Sequence, residues 1–441
     1  MKNKRFLTSL FVACLLVFSL AACTKTPSSE ITTAADTTSQ QPAGGKTINY
    51  WAMWSETEIQ AEVFKEAIAR YETATGNTVK VNWLGRDVRL TLKSAIDSGE
   101  PIDVIENSPD WLYPNFGTGY LLKLDNYLNK TYATTGGKTL GETIIPSYID
   151  FAKTYKGDGS VYYLPQQPSI AGMFYNKAIL RKVGVTSPPA TWAEFLDVCR
   201  KIKDAGYDVA TIDDAYRPAL AGSYLTLLKG QAWCDQLNAD ATGGMWGDPA
   251  VLQMAQAIAE LASKGYLSST TAANVFPAGQ QELAVGVTAI YLCNGSWLPN
   301  EVAATAGPNF EWGVCGFPLL SGSADPNTNL QFISQGFAIS SKSQYPDDAA
   351  ELIAYFMDAK TQQGLVDRAA CVPAVVGVNW PAMLEDVKAM LNSMTGTYTI
   401  WGNMSDTNVS AALTENLGKL LGGDLTPEAF VEAMKKGTKR D

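Results

Sequence analysis

From residue 47 onward, apolar positions fall into short strand-like runs separated by helical stripes. Residues 47–51 form the first run, and in the segment after it Ile59, Val63, Ala67 and Tyr71 recur at helical spacing with Phe64 and Ile68 beside them. Ser55-Glu56-Thr57-Glu58 has capping-box spacing, with the Ser55 hydroxyl set to accept from the Glu58 backbone while Glu58 reaches back. Gly76 closes that helix. A strand at 78–83, a helix at 87–98 and a strand at 102–105 complete β-α-β-α-β, so the expected class is α/β with a parallel sheet. Farther on, 283–300 lacks charge, but its Gly, Asn and Pro residues predict a buried strand and loop, not a membrane span.

Ahead of residue 47 the pattern is different. Lys2, Lys4 and Arg5 precede an apolar run at 6–22, which is short for a span of about 20 residues and reads as an export signal. Leu20-Ala21-Ala22-Cys23 resembles the lipobox of bacterial lipoproteins, which implies cleavage after residue 22 and acylation of Cys23. An ordinary signal peptide or an uncleaved anchor is the competing reading. Residues 24–46 are mostly Thr, Ser, Ala, Gln, Pro and Gly without apolar period, and read as a flexible tether averaging about 25–30 Å end to end. The expected location is the outer face of a bacterial membrane, held by the lipid on Cys23.

Some 395 residues follow residue 46 of the 441, which is long for one core and predicts two lobes. Without the three basic side chains of the leader, 31 basic face 44 acidic side chains, a net charge of −13 that argues against nucleic acid and against lying flat on anionic lipid. Cys199, Cys234, Cys293, Cys315 and Cys371 show no metal-ligand spacing and read as buried small hydrophobes, with a disulfide left open by the exported location. The chain has no histidine, which removes Ser-His and Cys-His nucleophiles and the commonest zinc ligation. Carboxylate, Lys or Tyr chemistry remains, or none.

In open α/β sheets ligands bind beyond the carboxyl ends of the strands. Those ends are 51–56, which carries Trp51, Trp54 and Glu56, and 106–111, which carries Asp110 and Trp111. Aromatic faces suit the C–H side of a pyranose and carboxylates suit vicinal hydroxyls. Core packing of Trp51 and Trp111 and a first-turn charge at Glu56 are the rival account.

A series of motifs then carries a resemblance: Gly99-Glu100-Pro101-Ile102-Asp103-Val104-Ile105, Gly119-Tyr120-Leu121-Leu122-Lys123-Leu124-Asp125, Tyr163-Leu164-Pro165, Phe174-Tyr175-Asn176-Lys177 and Pro189-Ala190-Thr191-Trp192-Ala193-Glu194-Phe195. Asn294-Gly295-Ser296-Trp297, Gly336-Phe337-Ala338-Ile339 and Pro346-Asp347-Asp348-Ala349-Ala350-Glu351-Leu352-Ile353 come after them in order. The set resembles the extracellular solute-binding proteins of ABC transporters, in the sugar-binding group similar to maltose-binding protein. The resemblance implies a two-lobed fold with a hinge and an interlobe cleft, one lobe from 47–157 plus 328–376 and the other from 158–327 plus 377–441. It implies a monomer that captures a carbohydrate, an oligosaccharide, and delivers it to membrane permease subunits, with no cofactor, metal or catalytic residue.

Carried onto this sequence, the family's ligand positions fall on Trp51, Glu56, Asp110, Gln167, Tyr216, Arg217, Trp297 and Trp401, with Trp54 added from the first loop. Met53 replaces a polar residue and Gln167 a carboxylate, so maltose itself is not implied. Arg217 is as well suited to pairing a structural carboxylate, Tyr175 to packing, and Trp192 after the Thr191 cap to docking a helix. A secreted glycoside hydrolase or lyase using two carboxylates about 5–10 Å apart, and a peptide or metal receptor, are the alternatives in other classes.

Overall fold

The computed structural model describes residues 45–116, 119–154, 157–399 and 406–440. Cys23, the leader, most of the tether and Trp401 lie outside the described residues. Strand β1 (Thr47–Ala52) pairs in parallel with β2 (Thr78–Trp83) and with β3 (Val104–Asn107), as the β-α-β-α-β reading expects. Helices α1 (Ile59–Thr75) and α2 (Val88–Ser98) connect them. Val63, Phe64, Ala67, Ile68 and Tyr71 of the α1 stripe are buried while Ile59 at its head is exposed, and Gly76 ends the helix at φ 73°, a conformation in which a side chain is strained.

Two local expectations are corrected. The Glu58 carboxylate does take the Ser55 N–H at 2.6 Å, but the Glu58 N–H donates to the Ser55 carbonyl at 3.0 Å instead of its hydroxyl. Residues 55–58 therefore close as a turn ahead of the helix. The third strand begins two residues later than expected, because the Asp103 carboxylate plugs the strand entry, accepting from the backbone N–H of Asn49 at 2.7 Å. Glu106 and Asn107 consequently belong to the strand and are fully buried.

Two long strands join the two halves of the sheet. β4 (Leu164–Asn176) pairs through its first half with β8 (Asn329–Ile339) and through its second with β6 (Thr288–Gly295) and β7 (Trp312–Cys315). β8 continues antiparallel to β3, and the strand order is β2-β1-β3-β8-β4-β6-β5, with β5 at Asp208–Thr211 and β9 (Gly396–Tyr398) beside β8. Gly336 permits the close pairing of β4 with β8, since a Cβ there would stand 2.3 Å from the Tyr163 ring.

Packing resolves several open readings. Residues Thr288–Gly295 form a wholly buried strand, and no helix among the described residues is long and apolar enough to cross a membrane. Thr191 and Glu194 form a complete capping box at the head of the helix Trp192–Asp204, and the Trp192 indole docks it by donating to Glu260 at 2.9 Å. Tyr175 is a packing residue over Gly313. The five cysteines are buried and unpaired, their thiol pKa values pushed up by burial at Cys199, Cys234, Cys293, Cys315 and Cys371.

Candidate functional site

A cavity of about 550 Å³ opens where the carboxyl end of β1 faces the end of β6. One wall comes from Met53 and Trp54 after β1, Glu58 and Gln60 at the head of α1, and Arg86 in the turn Gly85–Asp87. The opposite wall comes from Tyr216, Trp297, Asn300 and Glu301. The floor is the two long strands: Gln167 and Ser169 of β4, Ile333 and Gln335 of β8. Strand alternation puts each floor pair on one face.

Each wall fixes an aromatic ring. The Trp54 indole N–H donates to the Glu106 carboxylate at 2.6 Å, and the Arg86 guanidinium lies over the ring, 4.7 Å from its centroid. Arg86 itself donates to the Met53 carbonyl at 2.7 Å and to both Glu58 oxygens at 3.0 and 3.1 Å. Opposite, the Trp297 indole donates to the Tyr216 hydroxyl at 3.0 Å. The ring folds across the strand end over Gly295, where a Cβ would stand 2.4 Å from it, so the glycine of Asn294-Gly295-Ser296-Trp297 makes room for the tryptophan. Ser296 locks the corner, its N–H donating to Ser169 Oγ at 2.8 Å and its hydroxyl accepting from the Ile170 N–H at 3.1 Å.

Electrostatics distinguish three carboxyl groups around the site. Glu106 is fully buried and also accepts from the Tyr50 hydroxyl and, at 3.1 Å, from Gln166. Burial pushes its pKa up to about 7, against the lowering effect of those hydrogen bonds and of Arg86. Glu58 is matched by Arg86. Glu301 is open to the cavity but hemmed by protein, and desolvation raises its pKa while a bond from Gln280 and the field of Arg86 oppose the rise. On the floor, Gln167 Oε1 and Gln335 Oε1 are buried without a hydrogen-bond partner.

Of the residues expected to bind, Trp54, Gln167, Tyr216 and Trp297 come together around the cavity. Trp51 does not: β1 runs one residue past it, so it is held within the sheet opposite Asn82 and Ile105 and is buried in the core. Glu56 points outward and pairs with Lys65 at 3.0 Å. Asp110 sits in the first turn of α3 (Pro109–Phe116), in the field of Arg89, outside the cavity lining. Arg217 is also outside it. Its guanidinium is buried and donates to the carbonyls of Thr271, Ala272 and Thr414 at 3.2, 2.8 and 3.2 Å, which makes it a clamp on the loop and helix beside it.

Sequence reasoning passed over Arg86, Glu301 and Gln335, took Glu58 for a helix cap only, and left Glu106 in the loop at 106–111 without a role of its own. Two of these had a signal. Glu301 lies four residues after Trp297, one helical turn on the same face, and Gln335 repeats Ile333 at strand spacing in an apolar run.

The arrangement offers two fixed aromatic groups, unpartnered acceptors and an internally neutralised cation, which suits reversible capture of a small polar molecule with C–H faces. Comparison with known proteins adds relatives and a fold. A binding protein of Brucella abortus (strain 2308) is 26% identical over 265 residues, spanning 58% of this chain and 59% of its own length. Many solved structures share the fold. A chitin oligosaccharide binding protein superposes with a TM-score of 0.68 at 21% identity, covering 89% of this chain and 98% of that one. RafE in complex with raffinose superposes with a TM-score of 0.66 at 18% identity, covering 89% and 98%. The fold is thus the two-lobed solute-binding α/β fold, and, with residues 54–363 matching the model of that family, this chain belongs to the bacterial extracellular solute-binding proteins.

Proposed function

We propose that the protein is the substrate-binding receptor of an ABC importer, capturing a carbohydrate between two lobes and passing it unchanged to membrane permease subunits. The observation that carries this reading is the pairing of Trp54 on one wall with Trp297 and Tyr216 on the other, above a floor of unpartnered glutamine oxygens. The chitin oligosaccharide and raffinose named for the similar solved structures support it. The lobes are 47–157 plus 328–376 and 158–327 plus 377–441, so that β4 and β8 start just past two of the chain's crossings and pair with each other. Closure would bring the aromatic walls onto a sugar, and no covalent step is required. The protein acts as a monomer on the outer face of the cell membrane, tethered through a lipid on Cys23.

The test is the melting temperature of the mature chain lacking its acylated cysteine, against mono- and oligosaccharides, amino acids, peptides and metal ions. A ligand at 100 times its Kd adds about 2.7 kcal/mol, a shift of a few degrees. A selective sugar shift with the sugar recovered intact is the expected result. A shift with peptide or metal alone would remove the saccharide assignment, and consumption of the sugar would make the protein a hydrolase or lyase.

A further inference from the structure

The charges around the cavity bear on which sugars it takes. Among the described residues lining it, Glu58, Arg86 and Glu301 are the charged ones. Arg86 is matched within its own wall, by both oxygens of Glu58 at 3.0 and 3.1 Å and by the Met53 carbonyl at 2.7 Å. Its charge is therefore balanced by Glu58, although 55% of the side chain stays exposed. Glu301, on the opposite wall, accepts from the Gln280 amide and forms no salt bridge among the described residues. Behind it Asp213 adds negative field, itself held by Tyr291 Oη at 2.8 Å and by the Gly279 and Gln280 N–H groups.

The floor has the same bias. Gln167 Oε1 and Gln335 Oε1, on the two crossing strands, are buried acceptors without donors. The site as a whole carries one unmatched negative charge and at least three acceptors awaiting a donor. A carboxylate on a ligand has only acceptors to offer, whereas each sugar hydroxyl brings a donor. An acidic sugar whose carboxylate faced these groups would set like charges together across a partly desolvated space and leave the acceptor opposite it without a donor.

Resting on the saccharide reading above, we infer that the cavity selects uncharged sugars, whose hydroxyls donate to Glu301, Gln167 and Gln335, and rejects uronates. Selectivity comes from the acceptor set and from a cation already neutralised by its neighbour.

The experiment titrates the full mature chain at about pH 8 with neutral oligosaccharides and with uronate oligosaccharides matched in linkage and length. The neutral sugar should bind at least about tenfold more tightly than its uronate partner, the scale expected for one unscreened charge contact. Glu301→Gln, which keeps shape and drops the charge, should narrow that ratio about tenfold, and Gln335→Glu should widen it. Uronate binding equal to or tighter than neutral binding would overturn the inference while leaving the saccharide reading intact, as would a ratio that Glu301→Gln does not change. Silence across both sets would overturn the saccharide reading and this inference with it.

Discussion

The indole N–H of Trp54 donates to a fully buried carboxyl, that of Glu106, at 2.6 Å. One end of this contact lines the cavity and the other joins β1, β3 and β4 through Tyr50 and Gln166. The wall aromatic is therefore fixed by the sheet and not by its own loop.

The stability of the fold should carry the titration of Glu106. Burial raises its pKa from 4.5 to about 7, so the protonated carboxyl is favoured by the folded state. Its contribution is complete below about pH 4.5 and is lost as pH rises through about 7, a difference of about 3 kcal/mol. Melting temperature between pH 4 and 8 should fall by a few degrees more in the wild type than in Glu106→Gln. Parallel curves for the two proteins would show that Glu106 does not titrate in this range.

Arg217 should behave as a structural clamp. Arg217→Met strands the carbonyls of Thr271, Ala272 and Thr414, costing about 2–4 kcal/mol of stability. Ligand affinity, measured by calorimetry well below the melting transition, should change less than about twofold. A large loss of affinity with unchanged melting would return Arg217 to the ligand site.

Gly295→Ala should displace the Trp297 ring, because the new methyl would stand 2.4 Å from it. Overpacking of this kind costs about 1–3 kcal/mol. Sugar affinity should drop about tenfold or more, and so should that of Trp297→Ala, which removes the ring without crowding the strand. Unchanged sugar affinity in Trp297→Ala would take that ring out of the binding site.

Thr191→Ala removes one half of the box that starts the helix Trp192–Asp204. The expected cost is about 1 kcal/mol, read as a lower denaturant midpoint at constant slope, with ligand affinity unaffected. No change in the midpoint would mean that Glu194 alone holds the cap.

Local pattern foretold much of this architecture. The α1 stripe, the Gly76 stop, β2 and the Thr191 box are set by neighbours within a few residues, so spacing reveals them. The misreadings arose where a distant group intervened. Asp103 delays β3 by binding Asn49, Lys65 draws Glu56 outward, and the carbonyls of Thr271 and Ala272 recruit Arg217. At the site, Gln167, Tyr216 and Trp297 followed from the family resemblance and Trp54 from the aromatic loop after β1, and all four line the cavity. The Arg86–Glu58 pair was not, since its members lie 28 residues apart and meet only after β1 and β2 align.

Gln167 and Gln335 stand on the two strands that pass from one half of the molecule to the other. If the proposed lobes turn about these strands, a point on the pivot would move little and the two oxygens would keep nearly the same spacing, while Trp54 and Trp297, away from the crossing, would travel farther. A visiting molecule would thus meet its first anchors before the jaws move, and the rings would arrive last. The rate of capture would be governed by the strand crossing and the time of residence by the aromatic walls.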